Sequence, residues 1–197
     1  MNAKNYNALM ENEIATFEKK HSLLLHCCCA PCSSACLERL KDYFDITVFY
    51  YNPNIEDEEY ARRKGELSRL IQETGWAKEL DCDHEKEKYY SSVCGLEKEP
   101  EGGKRCEICF KLRLEKTAET AEKYGFDYFT TTLTISPLKD AKLLNEIGEK
   151  LAVGKRTKWL HSDFKKRDGY LNSIRLSEKH NLYRQDYCGC VYSKTNK

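Results

Sequence analysis

Hydrophobic positions fall into two alternating periods along the chain. Tyr6, Leu9, Met10, Ile14 and Phe17 recur near helical spacing, which predicts an amphipathic helix within the first twenty residues. The apolar run Leu23-Leu24-Leu25-His26-Cys27 predicts a buried strand that Pro31 breaks. Ser33 or Ser34 then reads as the cap of a helix whose Leu37, Leu40 and Phe44 share a face. Residues 46–51 read as a second strand, stopped by Asn52-Pro53-Asn54, and a charged helix follows over about 56–74, ended by Gly75. A short third strand is predicted over 76–80. Gly95, Pro100, Gly102 and Gly103 make residues 89–105 a loop or lid. A helix over 106–124 stops at Gly125, a fourth strand covers 127–133, and Ser136-Pro137 reads as the opening of the next helix. A fifth strand over 157–160 and a helix over 170–180 complete the pattern.

Strands alternating with helices predict one α/β domain over residues 1–197. Its mostly parallel, doubly wound (Rossmann-like) sheet has about five strands and helices on both faces. Residues 1–20 are a helical extension of a body over 22–193, with a loop or lid and a C-terminal tail packed near the site. Sites in such sheets gather at the carboxyl ends of strands. Two segments lie there, 27–32 and Thr131-Thr132-Leu133-Thr134-Ile135-Ser136-Pro137.

Hydrophobic residues at 40% can fill a core, and charged residues at 33% keep the surface wet. A net charge of +1 gives no global signature for nucleic acid, so such a contact needs a local patch. The local basic clusters are Lys155-Arg156-Thr157-Lys158, Lys165-Lys166-Arg167 and Arg62-Arg63-Lys64. The N-terminus has no apolar leader region, and no stretch has the length to span a bilayer. The expected location is therefore cytoplasmic, with no membrane partner and reduced thiols.

Cysteine chemistry changes the picture most. The chain has 11, an odd number that full disulfide pairing does not give. Cys28-Cys29, Cys106-x-x-Cys109 and Cys188-Gly-Cys190 are tight clusters. Cys106 and Cys109 open a helix and share one face, where unpaired amides favour negative charge. Cys28 and Cys29 reach one object only where the strand turns into a loop, which Pro31 supplies. Together these four thiols complete a 4Fe–4S site. Zinc is the other metal that thiols select, although zinc ribbons pair their thiols over shorter loops. Each pair also reads as incidental small packing groups. Cys188 and Cys190 are surplus to four ligands. They suit a strained redox-active disulfide, a second metal, or free thiols on a tail. Cys27 reads as a core residue, Cys32 is undecided, and Cys36, Cys82 and Cys94 read as ordinary packing residues.

The following segments resemble the cobalamin-independent epoxyqueuosine reductases, the QueH family: Leu24-Leu25-His26-Cys27-Cys28-Cys29-Ala30-Pro31-Cys32-Ser33-Ser34, Tyr51-Asn52-Pro53-Asn54-Ile55, Cys106-x-x-Cys109-x-x-x-Arg113, Thr131-Thr132-Leu133-Thr134-Ile135-Ser136-Pro137-x-Lys139-Asp140, Asp168-Gly169-Tyr170 and Tyr183-Arg184-Gln185-Asp186-Tyr187-Cys188-Gly189-Cys190. The resemblance runs from about residue 22 to 193, making that stretch the catalytic domain. It implies removal of the epoxide oxygen of epoxyqueuosine at the tRNA wobble position, giving queuosine. That step needs two electrons and two protons. The implied cofactors are a 4Fe–4S cluster, a possible second mononuclear iron and an external electron donor. Cys188, Cys190, Asp186 and Tyr187 become candidate catalytic residues. Tyr51, Asn52 and Arg184 become candidate substrate contacts, with Tyr51 or Tyr187 able to stack on an extruded base.

Two rival readings come from other classes. An adenylyl-sulfate reductase-like enzyme also uses a Cys-Cys plus Cys-x-x-Cys cluster, but would want a glycine-rich phosphate loop where this chain has Cys27-Cys28-Cys29-Ala30-Pro31-Cys32. A zinc-stabilised RNA-binding module would be colourless.

Overall fold

The computed structural model describes residues 4–194; expectations for 1–3 and 195–197 lie outside the described residues. The strands are β1 (His21–His26), β2 (Phe44–Phe49), β3 (Lys78–Leu80), β4 (Tyr128–Thr131) and β5 (Lys158–Trp159). They form one sheet in the order β3-β2-β1-β4-β5. Every pairing is parallel, with Leu24 opposite Thr47 on one side and Phe129 on the other. The helices are α1 (Tyr6–Ile14), α2 (Ala30–Leu40), α3 (Asp57–Thr74), α4 (Lys86–Ser92), α5 (Lys104–Tyr124), α6 (Ala141–Ala152), α7 (Gly169–Lys179) and a short α8 (Val191–Lys194). None of the described helices is long and apolar enough to cross a membrane.

Strand side chains alternate between faces, and the core follows that alternation. Leu23, Leu25, Ile46 and Val48 pack beneath Leu37, Leu40, Leu67 and Leu176 of α2, α3 and α7. Leu24, Phe49 and Phe129 pack on the opposite face beneath Leu112, Leu114 and Leu144 of α5 and α6. Burying each such side chain contributes about 1.5–3 kcal/mol. The run Leu23-Leu24-Leu25 is apolar throughout because β1 is central and covered on both faces.

β1 leads to β2 on one side and borders β4 on the other. The switch in strand order therefore lies between β1 and β4, and their carboxyl ends open a crevice there. The segments after these strands, 27–32 and 132–140, form its floor.

Three local expectations are corrected. Ser33 and Ser34 do not cap α2, which starts at Ala30 with Cys29 in the cap position and Pro31 in its first turn. Proline fits there because no N–H is needed, so the helix begins earlier. Both serine hydroxyls instead bond backward, Ser33 to the Cys29 carbonyl at 2.7 Å and Ser34 to that of Pro31 at 2.9 Å. Ser136-Pro137 likewise opens no helix. β4 runs into a 3-10 turn over Thr132–Ile135, and α6 starts only after Asp140, whose carboxylate accepts from the Lys142 and Leu143 amides. Residues 136–140 stay a loop, which places Lys139 in the crevice wall. Within 89–105 the chain continues α4 to Ser92, and the loop beyond it is tethered. Buried Arg105 donates to the carbonyls of Leu96, Glu97 and Glu99.

Candidate metal centre and active site

Cys28 and Cys29 lie between β1 and α2, with Cys29 capping the helix in extended backbone. Their sulfurs lie 3.8 Å apart. Cys32, one turn into the helix, joins them: the three sulfurs lie within 4.8 Å of one another, a group able to hold a metal ion. Spacing alone left Cys32 undecided; a third thiol a helical turn beyond the start of α2 was its only signal. Cys27 faces the other way. It packs with Cys36 in the opposite core and donates to the Leu25 carbonyl at 3.5 Å.

The three thiols share their protons unevenly. Hydrogen bonds from Cys29 and Cys32, with help from the Lys139 and Arg113 charges, hold Cys28 well below the usual thiol range. Donating to Cys28 pushes Cys29 up to about 12, and the same bonds push Cys32 up. Cys28 is therefore the most acidic of the three thiols, and the thiolate is the metal-ligating form.

α5 brings the next thiols. Cys109 is buried with Cys28, Cys29 and Cys190 in one cluster, and Cys106 packs at its edge. Burial pushes Cys109 up to about 12, with Cys188, Cys190 and Cys106 adding to the rise and Arg113 opposing it. Cys106 accepts the Gly102 amide at 3.2 Å. With the tail, three chain segments thus bring thiols to one place.

The tail is held there by a buried arginine. Arg63 bridges to Glu59 at 2.6 Å and donates to the carbonyls of Cys188 at 3.0 Å and Tyr187 at 3.2 Å. Gly189 between the two thiols has φ +97°, and a Cβ there would meet Arg63 and Ile55 at 2.9 Å. Glycine is therefore required by both conformation and space. The Tyr89 hydroxyl lies 3.0 Å from Cys190 Sγ, with both side chains buried. Nothing near Tyr89 in sequence points to this, since the partners are 101 residues apart.

A cavity of about 330 Å³ opens over this group, lined by Cys28, Cys32, Lys139, Asp186, Tyr187 and Cys188 among others. Burial lowers the Lys139 ammonium, but Cys188, Cys28 and Cys32 outweigh it and push it up to about 12. A larger hollow of about 490 Å³, around Lys20 and Trp76, has no cysteine in its wall and lies at the strands' amino ends. The chemistry points to the smaller one.

Of the three expected substrate contacts, two are enclosed and one lines the cavity. Tyr51 is fully buried and donates to Glu85 at 2.7 Å, so it offers no face to a base. Asn52 is equally buried and donates to the Cys27 carbonyl at 2.8 Å, fixing the turn that sends Cys28 into the site. Arg184 lines the cavity while donating to the Ser173 carbonyl and the Ser177 hydroxyl, anchoring the tail on α7. The cluster at 62–64 is no phosphate patch. Arg63 is buried, Arg62 stacks on the Tyr183 ring at 3.4 Å, and Lys64 bridges to Asp81 at 2.5 Å. Residues 155–158 enter β5 from its amino end, away from the cysteines. Residues 165–167 follow β5 toward α7, on the carboxyl side of the sheet.

An all-thiol donor set, with Arg113 and Lys139 supplying positive charge, fits a metal or iron–sulfur group. The family profile described as "Epoxyqueuosine reductase QueH" matches residues 23–196. The chain is 44% identical over 198 residues to "Epoxyqueuosine reductase QueH" of Streptococcus pyogenes serotype M1, covering 96% of this chain and 78% of that protein. It is 40% identical over 200 residues to the protein of that name from Staphylococcus epidermidis, covering 96% and 84%. For the Thermotoga maritima protein of that name the values are 34% over 175 residues, 87% and 90%. Converging thiols at the β1–β4 crevice and a match across nearly the whole chain lead to one conclusion: this oxidoreductase belongs to the epoxyqueuosine reductase QueH family.

Proposed function

We propose that the protein reduces epoxyqueuosine to queuosine at the wobble position of tRNA. Cys28, Cys29, Cys106 and Cys109 hold a 4Fe–4S cluster, and Cys188 and Cys190 supply a second metal site or a redox-active thiol pair. The observation that carries this reading is the sulfur group of Cys28, Cys29 and Cys32, set in the same buried cluster as Cys109 and Cys190. Cys32 is a third thiol beside Cys28 and Cys29 and is available to a second metal, such as a mononuclear iron.

The reaction balances as epoxide plus two electrons and two protons giving alkene plus water. A cluster held by Cys28, Cys29, Cys106 and Cys109 would supply electrons singly, from an external donor. The remaining demands fall on the chain's own side chains. Asp186 and Tyr187 stand in the cavity wall, where they deliver or order a proton for the departing oxygen. Tyr89 keeps its hydroxyl proton at the Cys190 sulfur, since burial raises it well above the ordinary phenol range. Lys139 keeps a positive charge at the cavity, favouring the anionic oxygen that develops as the ring opens. The base must leave the anticodon stack to reach this depth.

Anaerobic protein analysed for iron, sulfide and zinc tests the reading. Brown protein containing iron and sulfide that deoxygenates epoxyqueuosine tRNA is expected; Cys106→Ala bleaches it and abolishes turnover, whereas Cys190→Ser stays brown but inactive. Colourless zinc protein, or full iron in Cys106→Ala, refutes the assignment.

A further inference from the structure

Three arginines are buried to about 1% exposure, and two have ordinary partners. Arg63 pairs with the Glu59 carboxylate and Arg105 grips three loop carbonyls. Arg113 is different. It lies one helical turn beyond Cys109 on the same face of α5. Its hydrogen-bond partner is the neutral side chain of Asn54, whose Oδ1 accepts from both Nε, at 3.0 Å, and Nη2. Arg113 Nη1 and Asn54 Nδ2 are, like Arg105 Nε, buried donors with no hydrogen-bond partner among the described residues, but of the two arginines only Arg113 stands beside the thiols of both α5 and the β1–α2 turn. A buried cation paired only with an amide costs several kcal/mol of desolvation unless anions face it. The groups close enough to act on it are the thiols of Cys109, Cys188 and Cys28, from three separate segments, which become anionic as metal ligands.

We propose that Arg113, oriented by Asn54, is a positioning residue that donates charge and N–H bonds to the sulfur of the metal centre and raises its reduction potential. The proposal rests on the reading that these thiols hold an iron–sulfur group. Reduction adds a negative charge to such a group. A fixed guanidinium beside it stabilises the reduced form more than the oxidised one, and N–H bonds to sulfur act in the same direction. Asn54 contributes by clamping two arms of the guanidinium, leaving the third for the site. Its neutrality matters, because a carboxylate there would cancel the charge.

The test is a dye-mediated redox titration of the reconstituted protein, followed optically and by electron spin resonance, with iron and sulfide counted per chain. Arg113→Gln is expected to lower the one-electron reduction constant at least tenfold, about 59 mV toward more negative potential. Asn54→Asp should shift it the same way at unchanged iron content. Arg113→Lys should recover part of the shift, since it keeps the charge but not the fork. Should Arg113→Gln fail to hold the group, Asn54→Asp and Arg113→Lys decide. Potentials in these variants equal to the parent's overturn the proposal, even with lowered melting temperatures, because they reduce Arg113 to a packing element. A parent protein without iron and sulfide overturns the underlying reading, and this proposal with it.

Discussion

The Tyr89 hydroxyl sits 3.0 Å from Cys190 Sγ, joining α4 to the tail inside a core where neither side chain reaches water. Partners of this kind orient a thiol ligand, and losing one costs about 10–100-fold in metal affinity or activity. Tyr89→Phe keeps the ring and removes the oxygen. Turnover should fall about 10–100-fold with the fold intact by circular dichroism. Unchanged turnover would make the contact incidental.

Gly189 predicts a steep steric penalty. Alanine there meets Arg63 and Ile55 at 2.9 Å while holding φ at +97°. Gly189→Ala should destabilise the protein by about 1–3 kcal/mol in urea melts. It should also loosen the tail, seen as faster protease cleavage after Tyr187. A melt matching the parent's would show that the tail tolerates a different path.

Lys165, bridged to Asp163 at 2.6 Å, and exposed Lys166 follow β5 on the carboxyl side of the sheet. Reversing both to Glu should weaken tRNA binding and reduce the slope of log affinity against log salt by about one to two. Turnover at saturating tRNA should stay near the parent value. A full parental slope would place the phosphates elsewhere.

Asp127 gives the acid limb of stability. Its carboxylate accepts the Ser22 amide at 2.9 Å and the Ser22 hydroxyl at 2.8 Å, clipping the start of β1 to that of β4. The Ser22 amide, then its hydroxyl and His21, hold the carboxyl below its ordinary 3.8. The unfolded chain therefore binds a proton that the folded chain refuses. This stabilisation is complete above pH 3.8 and disappears as pH falls through the lower folded value. Urea melts of Asp127→Asn between pH 6 and 3 should show a flatter acid limb than the parent. Parallel curves would remove Asp127 from the account.

Sequence periodicity located every strand, because the apolar runs 23–27 and 46–51 are covered on both faces of the sheet. It missed α4, whose seven residues hold one buried side chain, Tyr89. It also misplaced the starts of α2 and α6, where proline in the first turn and Asp140 at the cap outcompeted the nearby serines. The cysteine spacings were legible because thiol pairs are local signals. Arg63, Tyr89 and Asn54 were not, because each acts on a partner more than fifty residues away. Burial cannot be read from identity, which is why Tyr51 and Asn52 look like substrate contacts in the sequence but are wholly enclosed in the fold.

The grip of Arg63 on the Tyr187 and Cys188 carbonyls sets an order of assembly. Translation runs from residue 28 toward residue 190, so the ribosome releases the Cys28 trio and the Cys106–Cys109 pair long before Cys188 and Cys190. Until then Arg63 has only Glu59 to satisfy it, and the groove for the tail is open to water. The last thiol pair to be made therefore depends on Arg63 for its place, as a bolt depends on its socket.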